Sequence, residues 1–225
     1  MNGKVLAAVV VLAGLAGAAG FYFLSRHEPP ATETLAHEAA TAIPPETAAG
    51  PARLAETVPD FQLADRAGQM RSLQDWSGKS LIVNFWATWC APCRREIPLL
   101  QQIARERAAD GFQVVGIAVD FRDKVLAYAD QMKIEYPLLI GEQEGLDAAT
   151  AFGVEAVGFP FTVFTDAQGR IVVAHLGELT AAEADLILGA VAQVNSGRVD
   201  LAKARADIAA GLPALQHDSD AKSGG

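Results

Sequence analysis

Two chemically versatile residue types are scarce in this chain of 225 residues: it has two cysteines and four histidines. The histidines, His27, His37, His175 and His217, are scattered and none is near the cysteines in sequence. That argues against a zinc site with local Cys/His spacing. Met- and His-rich tracts, which a copper-delivery module would be expected to carry, are also missing. Basic residues are in deficit, with 18 Lys and Arg against 27 Asp and Glu and a net charge of −9. This composition argues against a nucleic-acid binder, which needs a basic face. There is no Gly-rich phosphate loop and no internal repeat.

Charge is also absent from Val5 to Leu24, a run of 20 residues. Such a run makes about 30 Å of helix, enough to span a bilayer. Lys4 precedes it and Arg26 follows it. Residues 1–26 are therefore expected to be an uncleaved membrane anchor, with the rest of the chain outside the cytoplasm. The rival reading is a signal peptide cleaved after the small residues Ala16-Gly17-Ala18. No cysteine lies in this stretch, which excludes a lipoprotein anchor there. Residues 27–57, rich in Ala, Thr, Glu and Pro, read as a flexible linker. A folded domain is expected over 58–195, followed over 196–225 by a helix near Arg198–Ala210 and a disordered tail from Leu212.

Both cysteines fall in Trp89-Cys90-Ala91-Pro92-Cys93. Two residues between cysteines suit a redox couple or half of a metal site. The preceding Leu81–Trp86 is apolar, β-branched and aromatic, and reads as a buried strand. Beyond it, Arg94 to Ala109 is helix-prone, with Ile97, Leu100, Ile103 and Ala104 on one face. The pair thus sits where a strand ends and a helix begins. Free N–H groups and the positive end of the helix dipole stabilise a thiolate there, and the thiolate is the attacking species in thiol–disulfide exchange.

Further elements follow from pattern. Phe61–Leu63 and Met70–Leu73 read as a hairpin across Asp65-Arg66-Ala67-Gly68. Phe112–Val119 reads as a strand, Asp123–Met132 as a helix, Tyr136–Ile140 as a strand and Gly145–Phe152 as a short helix. Phe161–Thr165 and Arg170–Ala174 read as a second hairpin. Thr180–Val194 reads as a helix opened by a Thr180/Glu183 capping box. Strands alternating with helices imply an α/β domain with a mixed sheet covered on both faces.

The segment Asn84-Phe85-Trp86-Ala87-Thr88-Trp89-Cys90-Ala91-Pro92-Cys93-Arg94-Arg95-Glu96-Ile97-Pro98 resembles the active-site segment of the TlpA/ResA-like thiol–disulfide oxidoreductases, membrane-anchored members of the thioredoxin superfamily. The resemblance covers about Val58 to Val194. It implies a thioredoxin-like fold, with the 58–74 hairpin as the group's N-terminal extension and the helix and strand near 121–141 as its central insertion. It also implies that Cys90 is the exposed nucleophile and Cys93 the resolving thiol, with no cofactor beyond their disulfide. Pro160 would be a cis-proline facing the pair. Phe159 before it would offer backbone groups to an extended substrate, and its ring would suit apolar partners. Trp89 would shield Cys90 and offer a flat contact surface.

Glu96 lies three residues past Cys93, on the same helical face. It reads either as the proton acceptor for the inner thiol or as a solvated helix glutamate. Asn84 stands where thioredoxin has an acid, and an amide takes no proton at working pH. Arg94 and Arg95 read as solvated charges or, less favoured, as a source of positive potential that lowers a nearby thiol pKa, and Trp86 reads as core. A peroxiredoxin is disfavoured, because its Pro-x-x-x-Thr-x-x-Cys pattern would need Pro at Val83 and Thr at Ala87.

The function expected is a periplasmic disulfide reductase held at the cytoplasmic membrane. It would carry electrons from a membrane thiol donor to oxidised client proteins, as in cytochrome c maturation or copper-site assembly. The alternatives are a disulfide-forming oxidant on the same fold and, less favoured, a copper-binding module using the two thiolates.

Overall fold

The computed structural model of the protein describes residues 54–154 and 158–223. The expected anchor and most of the linker lie outside them. Seven strands form one sheet: β1 (Leu63–Asp65), β2 (Met70–Arg71), β3 (Ser80–Trp86), β4 (Phe112–Ala118), β5 (Leu138–Ile140), β6 (Phe161–Thr165) and β7 (Ile171–Leu176). Among the described residues are five α-helices: α1 (Ala91–Glu106), α2 (Arg122–Met132), α3 (Gln143–Ala151), α4 (Ala181–Asn195) and α5 (Leu201–Ser223). The strand order is β2-β1-β5-β4-β3-β6-β7. β3 pairs parallel with β4 and antiparallel with β6, giving the mixed sheet that the pattern implied.

Central β3 is buried at all seven positions, which is why it reads as an unbroken apolar run rather than an alternating one. Its even-numbered Ile82 and Trp86 join a core with Ile97 and Leu100 of α1, Val125 of α2, Ile187 and Val191 of α4, and Ile208 of α5. Its odd-numbered Leu81, Val83 and Phe85 join a second core with Phe152, Phe161 and Leu73. Asn84, with even parity, must face α1.

The sequence reading is corrected at both ends of the domain. Leu54–Thr57, expected to be linker, is tied to the sheet: Ala55 N–H donates to Phe152 O (3.0 Å) and Ile171 N–H to Glu56 O (2.8 Å). The tail expected to be disordered from Leu212 is helical through Ser223. Ala204 and Ile208 of α5 are buried in the first core, so the helix is held by packing on α4 and β7. Pro213 sits inside it despite lacking an N–H. The α4 capping box is present as read, with Thr180 and Glu183 capping each other. The N-terminal hairpin is also present, shifted by two residues in its first strand, and Leu73–Trp76 forms a 3-10 turn instead of continuing β2.

Candidate active site

Cys90 is the N-cap residue of α1, where the chain leaves β3 and turns into the helix. Ala91 and Pro92 occupy the first helical turn, where an N–H is not needed. One turn of helix brings Cys90 and Cys93 to a Cα separation of 5.3 Å, and their sulfurs are bonded as a disulfide. Cys93 N–H donates to Cys90 Sγ over 3.3 Å. Cys90 Sγ also lies 3.5 Å from Phe159 O. An N-capping sulfur turned towards the first helical N–H groups is set up to hold negative charge.

The exposure expected of Cys90 is corrected. It is 5% exposed and Cys93 is fully buried. The capping geometry turns Cys90 Sγ inward, and Phe159 covers it from across the sheet. The exposed group is Trp89, at 67%. Its ring packs 6.1 Å from that of Phe159, which lies 6.3 Å from buried Phe161. Phe161 stacks on Phe85 at 4.3 Å. Phe161 is therefore a core residue supporting Phe159 from below. The Phe159–Pro160 bond is cis.

Glu96 is 2% exposed, so it is not a solvated helix residue. Its Oε1 accepts from Asn84 Nδ2 at 2.6 Å and its Oε2 from Leu179 N–H at 2.8 Å. Asn84 Nδ2 also donates to Thr162 Oγ1 at 3.0 Å. Burial pushes the Glu96 carboxyl up, the two donors pull it back, and nearby Glu178 raises it again. The balance rests at about 7. A carboxyl with that value is half-protonated at neutral pH, which suits transfer of a proton in either direction. Tyr136, also buried, is held above the ordinary range of a phenol by burial first and then by the charge of Glu96.

Arg94 and Arg95 are exposed. Arg95 grips Glu178 through Nε (2.9 Å to Oε2) and Nη2, across the connection from β7 to α4. This surface pair is screened by water and contributes little to stability. It does hold Glu178 near the buried carboxyl.

Three participants escaped the sequence reading. Thr162 is legible only through the β3–β6 register that pairs it with Asn84. Asp120, buried at the end of β4, accepts Thr88 N–H at 3.1 Å and the Thr88 hydroxyl on Oδ2, and Phe121 N–H at 2.7 Å on Oδ1. It fixes the loop that leads into Trp89 and Cys90. An acid directly after an apolar strand was the available signal. His175 is buried on β7 with Nε2 3.1 Å from Glu183 Oε1.

Among the described residues no group of three or more His, Cys, Asp or Glu side chains converges as a metal set. A groove of about 720 Å³ lies between residues 54–56, β7 and α5, and none of the disulfide's neighbours lines it.

Residues 54–174 match the AhpC/TSA family. The chain is 36% identical over 132 residues to the thioredoxin-like protein YneN of Bacillus subtilis, covering 57% of this chain and 74% of that one. It is 29% identical over 130 residues to the thiol–disulfide oxidoreductase ResA of Halalkalibacterium halodurans, covering 57% and 72%. Among solved structures it is similar to a thiol:disulfide interchange protein of the thioredoxin family from Chlorobium tepidum, with a TM-score of 0.55 and 32% identity over 64% of this chain and 99% of that one. Val83 and Ala87 still stand where a peroxidatic site would need Pro and Thr. With a CXXC disulfide at a helix N-terminus opposite a cis-proline, the chain belongs to the AhpC/TSA family as a thioredoxin-fold thiol–disulfide oxidoreductase of the ResA-like kind.

Proposed function

We propose that this oxidoreductase works as a reductant, delivering electrons to disulfides of exported proteins from a position at the outer face of the cytoplasmic membrane. The observation that carries the direction is the surroundings of Cys90 Sγ. The polar groups found there are one backbone N–H and one backbone carbonyl. The residues between the cysteines, Ala91 and Pro92, carry no charge. A thiolate stabilised this modestly leaves the reduced form less favoured, which supports a potential of roughly −200 to −300 mV, below the approximate −120 mV of DsbA. The location draws on the charge-free run Val5–Leu24. No helix among the described residues is long and apolar enough to cross a membrane, so anchoring would fall to that run.

In the forward reaction the Cys90 thiolate attacks a client disulfide. A Cys90–client bond forms, and the second client sulfur leaves as a thiolate that takes a proton. Cys93 then loses its proton to Glu96 and attacks Cys90 Sγ. The Cys90–Cys93 bond forms, and the client departs with both sulfurs reduced. Two electrons have passed from the pair to the client. A membrane dithiol donor would restore the reduced pair by the same exchange in reverse.

Equilibration with glutathione tests the direction, with a value between about −200 and −300 mV expected. A value near DsbA's would overturn the reductant reading and favour the oxidant. Trapping on a Cys93→Ala variant in cells should retain clients as mixed disulfides on Cys90. The chemistry that recognises them is apolar, because Trp89 and Phe159 flank the pair. Apocytochrome c and copper-site proteins are the client classes to look for first. Fractionation with N-terminal mass analysis tests the anchor. A soluble protein with a terminus near Ala19 would refute it.

A further inference from the structure

Asn84 is fully buried, and its amide is paired at one end only. Nδ2 donates to Glu96 Oε1 at 2.6 Å and to Thr162 Oγ1 at 3.0 Å, which uses both amide hydrogens. Oδ1 has no partner. The β3–β6 register sets Asn84 directly beside Thr162, so the nitrogen alone fixes which way the amide faces. Buried polar groups are nearly always paired. An amide oxygen left bare at the redox end of the sheet points to a second state in which that oxygen is used.

Glu96 supplies that state. Its Oε2 accepts from the Leu179 N–H at 2.8 Å. A backbone N–H only donates, so Oε2 stays an acceptor whether or not the carboxyl carries a proton. The proton therefore belongs on Oε1, the oxygen that faces Asn84. There it meets an N–H, donor against donor, while the Cys93 sulfur is tied up in the disulfide. With the amide as it stands, the acid would leave two groups unpaired, its own O–H and Asn84 Oδ1. Half a turn about the Asn84 Cβ–Cγ bond puts Oδ1 in the place of Nδ2. One lone pair of Oδ1 then takes the Glu96 O–H, and the other takes the Thr162 hydroxyl, which donates as well as accepts. Of these groups only the amide nitrogen is then unpaired.

We infer that Asn84 is a positioning residue whose amide turns over with the proton on Glu96: its nitrogen holds the carboxylate and its oxygen holds the acid. The inference rests on the reading of Glu96 as proton acceptor for Cys93. The turn is a rotation only. No bond forms or breaks in it, no electrons move, and the proton stays on Oε1. Each protonation state of the carboxyl thereby finds a matching partner, which suits a group that takes a proton and gives it back. A carboxyl balanced at about 7 fits two states that are both accommodated. The titratable and charged groups facing the pair are Cys93 on the same face of α1, Tyr136 before β5, and Glu178, held by Arg95, in the β7–α4 connection. Beyond Thr162 in register lies His175 of β7, in contact with Glu183 of α4.

Side-chain NMR on the oxidised full chain tests this without a variant. Asparagine labelling gives three side-chain amides, Asn2, Asn84 and Asn195. Asn195, which donates to Ser80 Oγ at 2.8 Å, is the control. At about pH 9 the Asn84 amide protons should show through-space contacts with the Thr162 side chain. These contacts should be lost towards about pH 5, in step with the titration of the Glu96 carboxyl carbon. In Glu96→Gln the Leu179 N–H claims the one side-chain oxygen, so the Gln nitrogen faces Asn84 and the contacts should be absent at every pH. Asn84→Leu removes donor and acceptor together. It should lower turnover on a protein disulfide about tenfold and have no further effect in a Glu96→Gln background. Contacts with Thr162 that persist while Glu96 titrates, wild-type turnover in Asn84→Leu, or the same loss in both backgrounds would overturn the inference and leave the Glu96 reading standing. A Glu96 carboxyl that does not titrate over this range would overturn that reading, and this inference with it.

Discussion

Glu96 and Glu183 are both buried, and they accept backbone N–H groups from adjacent residues, Leu179 and Thr180. Their protons nevertheless respond in opposite ways. Burial pulls both up. At Glu183 the Thr180 N–H, the Thr180 hydroxyl and His175 outweigh it, and the carboxyl ends below the ordinary range. At Glu96 one N–H and one amide do not outweigh it, and the carboxyl rests at about 7. Position adds to the difference. Glu183 is the third residue of α4, inside the turn where the helix dipole favours a negative charge. Glu96 lies in the second turn of α1, beyond that reach. Two carboxylates a few residues apart in their contacts thus do different work: one holds a helix end, and the other stays ready to exchange a proton.

The widest gap between the two is expected in the pH dependence of stability. Glu96 has a folded value of about 7 against 4.5 for the free group. The folded state binds more protons between those limits, so stability falls as pH rises through them. The loss is about 3 kcal/mol in total, at about 1.4 kcal/mol per unit. Glu183 has the opposite sign. Its contribution is present above 4.5 and is lost as pH falls through its depressed folded value. Denaturant titrations should find the protein about 3 kcal/mol more stable near pH 5 than near pH 8. Glu96→Gln should flatten that slope. A flat wild-type profile would remove the basis of the contrast.

Glu183→Ala tests the other side. It removes the cap and leaves buried His175 without its carboxylate. The expected cost is about 2–3 kcal/mol, read as a fall in Tm, with turnover per folded molecule unchanged. Lost turnover at intact stability would make Glu183 part of the redox machinery. Glu96→Gln should do the reverse. Turnover on protein disulfides should fall about tenfold, and at least one cysteine should titrate lower because a nearby negative charge is gone. Unchanged titration and turnover together would return Glu96 to a structural role.

Much of this arrangement was legible in the sequence. The CXXC pair, the strand before it and the helix after it follow from apolar runs and local spacing, and Thr180/Glu183 is a capping box readable over four residues. Cis Pro160 entered through family resemblance. What was not legible depends on register. Thr162 and His175 become polar core residues because β6 and β7 align them with Asn84 on one face. Whether Glu96 is solvated or buried depends on Leu179, 83 positions away. The C-terminal helix continues past Ala210 although Gly211 and Pro213 are poor helix formers, because the packing of Ala204 and Ile208 that holds it is tertiary.

Asp120 sharpens the comparison at its smallest scale. It accepts three hydrogen bonds where Glu96 accepts two, yet it sits at the redox end with Glu96. Oδ2 holds the Thr88 N–H and hydroxyl, and Oδ1 holds the Phe121 N–H. If satisfaction decides a carboxylate's role, Asp120 acts on catalysis only through the loop it holds. In Asp120→Asn the amide oxygen can keep one N–H, while the amide nitrogen meets the other N–H as a second donor. The Thr88 hydroxyl can still accept from it. The loop should loosen without opening, at a cost of about 1 kcal/mol. Trp89, 67% exposed, follows tethered Thr88, and Phe121, 55% exposed, is itself tethered through its N–H. The KM for a protein disulfide should therefore rise about threefold, while kcat stays unchanged because the proton transfer at Glu96 is untouched. The pH profile should also keep its wild-type shape. A shifted profile with an unchanged KM would place Asp120 beside Glu96 as a proton-handling group, and satisfaction by hydrogen bonds would no longer separate the two kinds of buried carboxylate.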